Sequence, residues 1–190
     1  LTATTDTLVG AAGADIFNGV LQGAGVTGTT IAPGDTVTGG EGVDTLSISV
    51  AGQLGAAYTL SAVNTADVEK VLLSNFDTHT SRHNTVDASL MTGVTHAGMS
   101  SSSAAGDTLF TNVKNLVTGE MGNGGGDLTL TYAAAVVAGT ADAQTLNVSN
   151  LSGGTFTANG IEALTIDGSL VASTLAGAAG NALTSLTLTG

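Results

Sequence analysis

Short stretches of this chain alternate apolar and polar residues with a period of two, and glycine-, serine- and threonine-rich segments separate them. That period puts successive side chains on opposite faces of a strand, one packed inward and one wet. It predicts strands at 44–50, 68–74, 94–100, 113–118, 127–132, 144–149, 161–167 and 183–189. Three of these carry a longer echo. Val68-Glu69-Lys70-Val71-Leu72, Val113-Lys114-Asn115-Leu116-Val117 and Ile161-Glu162-Ala163-Leu164-Thr165-Ile166 each open on a β-branched residue, pass two variable positions and run into an apolar strand. The simplest packing is one strand per rung, with leucine and isoleucine ladders inside and threonine outside. The segments 132–137 and 170–175 lack amphipathic spacing and read as loops or single turns. The expected fold class is therefore all-β, a parallel β-helix or β-solenoid, with a β-sandwich as the alternative.

Composition sharpens this picture. Hydrophobic residues make up 42%, but aromatics only 3% with no tryptophan, so the core must be built from Val, Leu, Ile and Ala. One proline and 28 glycines fit many short strands joined by turns. The last strand, 183–189, has no polar cap after it. An uncapped rung exposes core and sheet edge, and is expected to meet another domain, another subunit or further residues. The chain opens at Leu1 and reads as a processed form or an internal fragment.

Charge excludes some functions. Lys70, Arg82 and Lys114 stand against fifteen acidic residues, for a net charge of -12. Nucleic-acid binding needs a basic footprint, and so does attraction to anionic lipid. No apolar run is long enough to span a bilayer. There is no cysteine, so no disulfide staples the fold. An acidic surface of this kind suits solubility and cation binding.

The first 50 residues carry the sharpest chemical pattern. Asp6-Thr7-Leu8-Val9-Gly10-Ala11-Ala12-Gly13-Ala14-Asp15-Ile16-Phe17 sets two aspartates nine residues apart, each followed two places later by a large apolar residue. Asp35-Thr36-Val37-Thr38-Gly39-Gly40-Glu41-Gly42-Val43-Asp44-Thr45-Leu46 repeats the arrangement, with a Gly/Thr-rich insert over roughly 23–33 between the copies. Glycines at Gly10, Gly13, Gly39, Gly40 and Gly42 allow tight turns that aim carbonyl oxygens at a cation. The aspartates Asp6, Asp15, Asp35 and Asp44 supply hard carboxylate oxygens, the ligands calcium prefers. A weaker candidate is Asp127, in Gly122-Asn123-Gly124-Gly125-Gly126-Asp127-Leu128, and Ser103-Ala104-Ala105-Gly106-Asp107-Thr108-Leu109 is weaker again.

Gly39-Gly40-Glu41-Gly42-Val43-Asp44-Thr45-Leu46 resembles the calcium-binding nonapeptide of RTX proteins, and Gly10-Ala11-Ala12-Gly13-Ala14-Asp15-Ile16-Phe17 is similar to it with Ala11 and Phe17 substituted. The order of the two copies around a glycine-rich insert is similar to the start of RTX-type bacterial surface-layer proteins. This resemblance implies type I secretion, calcium-induced folding outside the cell, and a lattice or matrix building block held together by Ca2+. The expected organisation is a calcium-binding segment over 1–50, continuous with a solenoid scaffold over 51–190. The expected function is structural, at a cell surface or in an extracellular matrix, with self-association into a homo-oligomer, lattice or filament.

Other constellations are weaker. His79 and His83 are spaced for zinc on a helix, but their stretch has no helical face and no third ligand. Ser81, His83 and Asp87 are close in sequence only, which is poor support for a triad. Asn147-Val148-Ser149 and Asn150-Leu151-Ser152 fit a glycosylation triplet that arises often by chance. An adhesin segment that binds a cell-surface polysaccharide is the alternative function, although aromatics for sugar stacking are few. A polysaccharide lyase would need basic residues that the chain hardly has, so no enzyme is expected.

Overall fold

The computed structural model describes residues 1–22, 27–50, 58–60, 63–80 and 83–190. Ser81, Arg82 and part of the 23–33 insert lie outside the described residues.

The strands run in chain order as follows. The N-terminal set is β1 (Thr7–Val9), β2 (Ile16–Leu21), β3 (Thr36–Thr38), β4 (Thr45–Val50), β5 (Thr59–Leu60) and β6 (Asn64–Ala66). The middle set is β7 (Lys70–Asn75), β8 (His83–Asp87), β9 (His96–Ser102), β10 (Asp107–Val113), β11 (Thr118–Gly124) and β12 (Leu128–Tyr132). The last set is β13 (Ala143–Leu151), β14 (Thr155–Ala158), β15 (Ala163–Val171), β16 (Gly177–Ala179) and β17 (Ser185–Thr189). No helix occurs among the described residues.

Every paired strand is parallel to its neighbour. Three sheets result: an eight-stranded one (β2, β4, β7, β9, β11, β13, β15, β17), a six-stranded one (β5, β8, β10, β12, β14, β16) and a three-stranded one (β1, β3, β6). This is a parallel β-solenoid, and parallel pairing rules out the antiparallel sandwich. One expectation needs correction: a rung holds two or three strands, not one. Most of the strands expected from periodicity belong to the eight-stranded sheet, whereas β8, β10 and β14 face it from the other side.

Register explains the core. Leu46, Val71, Ala97, Gly119, Leu146 and Ile166 are successive partners across the eight-stranded sheet, all facing in. Where that row shrinks to Ala97 and Gly119, the opposite sheet supplies Phe110 and Phe156, both wholly buried. A methyl group on Gly119 would stand 3.1 Å from the Phe156 ring, so the small residue and the large one share a single space. The outward row opposite them is Thr45, Lys70, His96, Thr118, Thr145, Thr165 and Thr187.

The segment 113–118 is not a strand. Val113 closes β10, Lys114, Asn115 and Leu116 form an exposed corner, and Thr118 opens β11. Alternation alone cannot see a corner whose residues happen to keep the pattern. The stretch 132–137 is a turn as expected, but Leu170 and Val171 prolong β15. The last strand, β17, is exposed throughout, with Leu188 at 72%.

Candidate metal centre at the N-terminal turns

The two nonapeptides form stacked corners. β1 and β3 lie side by side, as do β2 and β4, so the turn over 10–15 sits directly on the turn over 39–44. Main-chain bonds fix the stack, from Gly10 N to Thr38 O at 2.8 Å and from Gly13 N to Glu41 O at 2.6 Å. Gly42 and Gly40 lie against the carbonyl oxygens of Gly13 and Ala11. No side chain fits between them, which is why glycine recurs there.

Asp15 and Asp44 close these turns and begin a carboxylate ladder. Asp44 Oδ1 accepts the main-chain N–H of Asp15 at 2.7 Å. Glu69 Oε2 in turn accepts the N–H of Asp44 at 2.7 Å. The second oxygens differ. Asp15 Oδ2 accepts Ala11 N–H at 2.7 Å within its own turn. Asp44 Oδ2 is buried, has no hydrogen-bond partner among the described residues, and belongs to a side chain at 0% exposure. It points at the glycine face of its turn: a methyl on Gly39 would stand 2.5 Å from it and would collide with the Asp67 carbonyl oxygen. A methyl on Gly10 would in the same way stand 2.7 Å from Asp15 Oδ2 and would collide with the Gly39 carbonyl oxygen. A carboxylate oxygen and a carbonyl oxygen crowded at one glycine repel each other, unless something positive lies between them.

Asp6 and Asp35 occupy a different corner, at the start of β1 and β3. Asp35 is fully buried, and its two oxygens accept Asp6 N–H at 2.9 Å and Ala32 N–H at 2.7 Å. Thr2 gives Asp6 a main-chain bond at 2.5 Å and a hydroxyl bond at 2.8 Å, and these bonds lower its pKa. Asp127 stands at a third corner, before the six-stranded sheet. There Asp107 Oδ1 accepts Asp127 N–H at 2.9 Å, and Asp127 Oδ1 accepts Thr155 N–H at 2.7 Å. The six-stranded sheet thus has a ladder of its own. Burial raises the Asp107 pKa against the hydrogen bond from Asp127 N–H, and the charges of Asp127 and Asp77 add to the rise while His83 opposes it.

No family model, curated protein or solved structure matches the chain. The chemistry of the site must be argued from its own geometry. Among the described residues no three carboxylate or imidazole groups converge on one point. A cation at the Asp44 turn would therefore depend on carbonyl oxygens for most of its shell, which suits a hard ion. His79 and His83 belong to no such group. His79 N–H donates to Asp77 Oδ1 at 3.1 Å, while His83 opens β8 on its exposed side.

Sequence reading missed two members of these ladders. Glu69 continues the Asp15–Asp44 stack, and Glu162 Oε2 accepts Asp142 N–H at 2.8 Å in the same manner. The signal was the echo Val68-Glu69-Lys70 and Ile161-Glu162-Ala163. Its glutamates hold equivalent places, each carboxylate bonding an aspartate one rung earlier.

Proposed function

We propose that this chain is a structural segment of a secreted or cell-surface protein, folded and clamped by calcium at the Asp15–Asp44 corner. One observation carries the reading: Asp44 Oδ2, fully buried and unpartnered, faces a glycine turn rimmed by carbonyl oxygens. An ionised carboxylate without a partner is costly to bury, and a calcium ion would satisfy it. Gly39, Gly40 and Gly42 give the ion access to carbonyls, and Asp15 and Gly10 provide the neighbouring rung. Asp6 and Asp35 act as structural acceptors that hold the first two rungs together. The solenoid scaffold is a rigid, acidic spacer that could stack or pair along its sheets, as in a surface layer or matrix.

The test is isothermal titration with calcium, and with magnesium for comparison. Extracellular calcium modules bind with Kd on the order of 10⁻⁴ to 10⁻³ M. Saturable calcium uptake in that range, lost in Asp44→Asn and weaker for magnesium, supports the reading. Uptake that is absent, or identical in the variant, removes it.

A further inference from the structure

β2 and β17 are the two outer strands of the eight-stranded sheet, and their free edges differ. β17 is exposed along its length, and the inner row that reaches it ends in Leu186 and the still more exposed Leu188. β2 is covered. Thr29, Thr30 and Ile31 fold back along its outer edge as a strap. Thr30 N and Ile31 N both donate to the Val20 carbonyl oxygen, at 2.8 Å and 3.4 Å. The hydroxyl oxygens of Thr30 and Thr29 accept the N–H groups of Val20 at 2.9 Å and Gln22 at 3.0 Å. Leu1 N donates to the Asn18 carbonyl oxygen on the same edge, at 3.1 Å. Main-chain groups on this edge are the ones through which one more parallel strand would pair.

The strap is anchored as well as bonded. Ile31 is wholly buried although it belongs to no strand. It seats over Gly19, between Phe17 and Leu21 on the inner face of β2. A methyl group on Gly19 would stand 2.8 Å from Ile31 Cβ and 3.1 Å from Leu1 Cδ1. The glycine thus leaves a gap in the inner row, and the strap fills it from outside the sheet.

We propose that residues 29–31 are an autoinhibitory guard: closed over β2, they keep the segment from stacking head to tail, and the partner they exclude is the β17 edge of a second copy. Both strands run parallel to their neighbours, so β17 laid on β2 continues the sheet without a change of direction. Leu186 and Leu188 then prolong the inner row of Phe17 and Leu21. From Gly168 to Gly190 there is no charged side chain, so this end approaches an acidic molecule without repulsion, whereas two carboxylate-rich β2 ends repel. The contact is heterologous and does not close, so it builds filaments. The inference rests on the reading of the chain as a building block, but not on calcium.

Two variants release the strap in different ways. Gly19→Val expels Ile31 and fills its seat from β2 itself, and Ile31→Ser removes the anchor. Hydrogen exchange at Val20 and Gln22 reports the release, with protection falling at least about tenfold. Sedimentation velocity and electron microscopy in millimolar calcium report assembly. The parent should keep one size at every concentration, and both released variants should form filaments that an added Leu188→Asp abolishes. If Gly19→Val fails to fold by circular dichroism, Ile31→Ser and the double variant Thr29→Ala, Thr30→Ala decide. Filaments of the parent, released variants that keep the parent's size, or variants that stop at a pair each overturn the proposal. Calcium titration of the parent is scored separately, so this inference and the calcium reading can fail one without the other.

Discussion

At the scale of single residues, the buried Asp44 and the half-buried Asp107 are two aspartates with different expected behaviour. Asp44 keeps one oxygen on Asp15 N–H and has nothing on the other. Leaving a buried polar atom unsatisfied costs about 1–3 kcal/mol, and more if it is charged. Asp44→Asn retains an acceptor for Asp15 and gains an amide N–H that can face the Asp67 carbonyl. In chelator its urea midpoint should therefore rise above that of the parent protein. In millimolar calcium the order should invert, because the variant has lost the carboxylate the ion needs. The same sign in both buffers would sink the calcium reading of this residue. Asp107 differs because burial most of all, and its acidic neighbours after it, disfavour its charge. Desolvation raises its pKa above the ordinary 3.8 against the hydrogen bond from Asp127 N–H, helped by the charges of Asp127 and Asp77 and opposed by His83. A raised folded-state pKa favours the neutral carboxyl. Its contribution is thus fully present below the unfolded value and is lost as pH rises through the folded one. Asp107→Asn keeps the acceptor for Asp127 N–H while removing the charge. Urea titrations should show the variant more stable at pH 7, with the gap closing as pH falls towards 3.8. A gap that is constant with pH would rule out the charge as its cause.

At the scale of elements, alternation revealed the eight-stranded sheet well, because its inner face is apolar and its outer face is polar on nearly every strand. Ile48 and Leu73 inside, and Ser47 and Ser74 outside, are the kind of contrast that a period of two reports. The opposing sheet was less legible for a physical reason. β8 carries the buried Asn84 on its inner face, and β14 is only Thr155–Ala158, too short for a periodic signal. Asn84 is held inside by its Nδ2, which donates to Asn75 Oδ1 and Asp77 Oδ2, each at 3.2 Å, while its Oδ1 is buried with no partner among the described residues. The acidic corners were half legible. The spacing of Asp15 and Asp44 announced a turn, but the partnership of Asp142 with Glu162 has no motif and appears only once rungs are stacked. Complementarity between sheets was invisible for the same reason: Gly119 looks like a turn residue and is in truth the seat of the Phe156 ring. Phe156→Ala should therefore cost about 3–5 kcal/mol in urea unfolding, as for other buried aromatic truncations. Phe76→Ser, at a position 52% exposed, should stay within about 0.5 kcal/mol. Equal losses would mean that the Phe156 layer does not hold the two sheets together.

At the scale of the whole molecule, a solenoid is a stack in which each rung touches chiefly its neighbours, so its stability need not be uniform. The contrast between its ends is chemical. Uncompensated carboxylates crowd the first rungs, around Asp15, Asp44 and Glu69. From Gly168 to Gly190 there is no charged side chain at all. Calcium at the Asp44 corner should accordingly act locally. At about 10 mM calcium, a Kd of roughly 10⁻⁴ to 10⁻³ M would add about 1.4–2.7 kcal/mol to whatever unfolding event releases the ion. If rungs open one by one, hydrogen exchange will place that gain on β1 to β4 and leave β10 to β15 unchanged. Sodium chloride at matched ionic strength is the necessary control, since a net charge of -12 is screened by any salt. Protection that rises evenly along the chain, or rises as much in sodium chloride, would mean that calcium relieves general repulsion and does not clamp a turn. Protection confined to the first rungs, and specific to calcium, would make that corner the point at which the stack is locked.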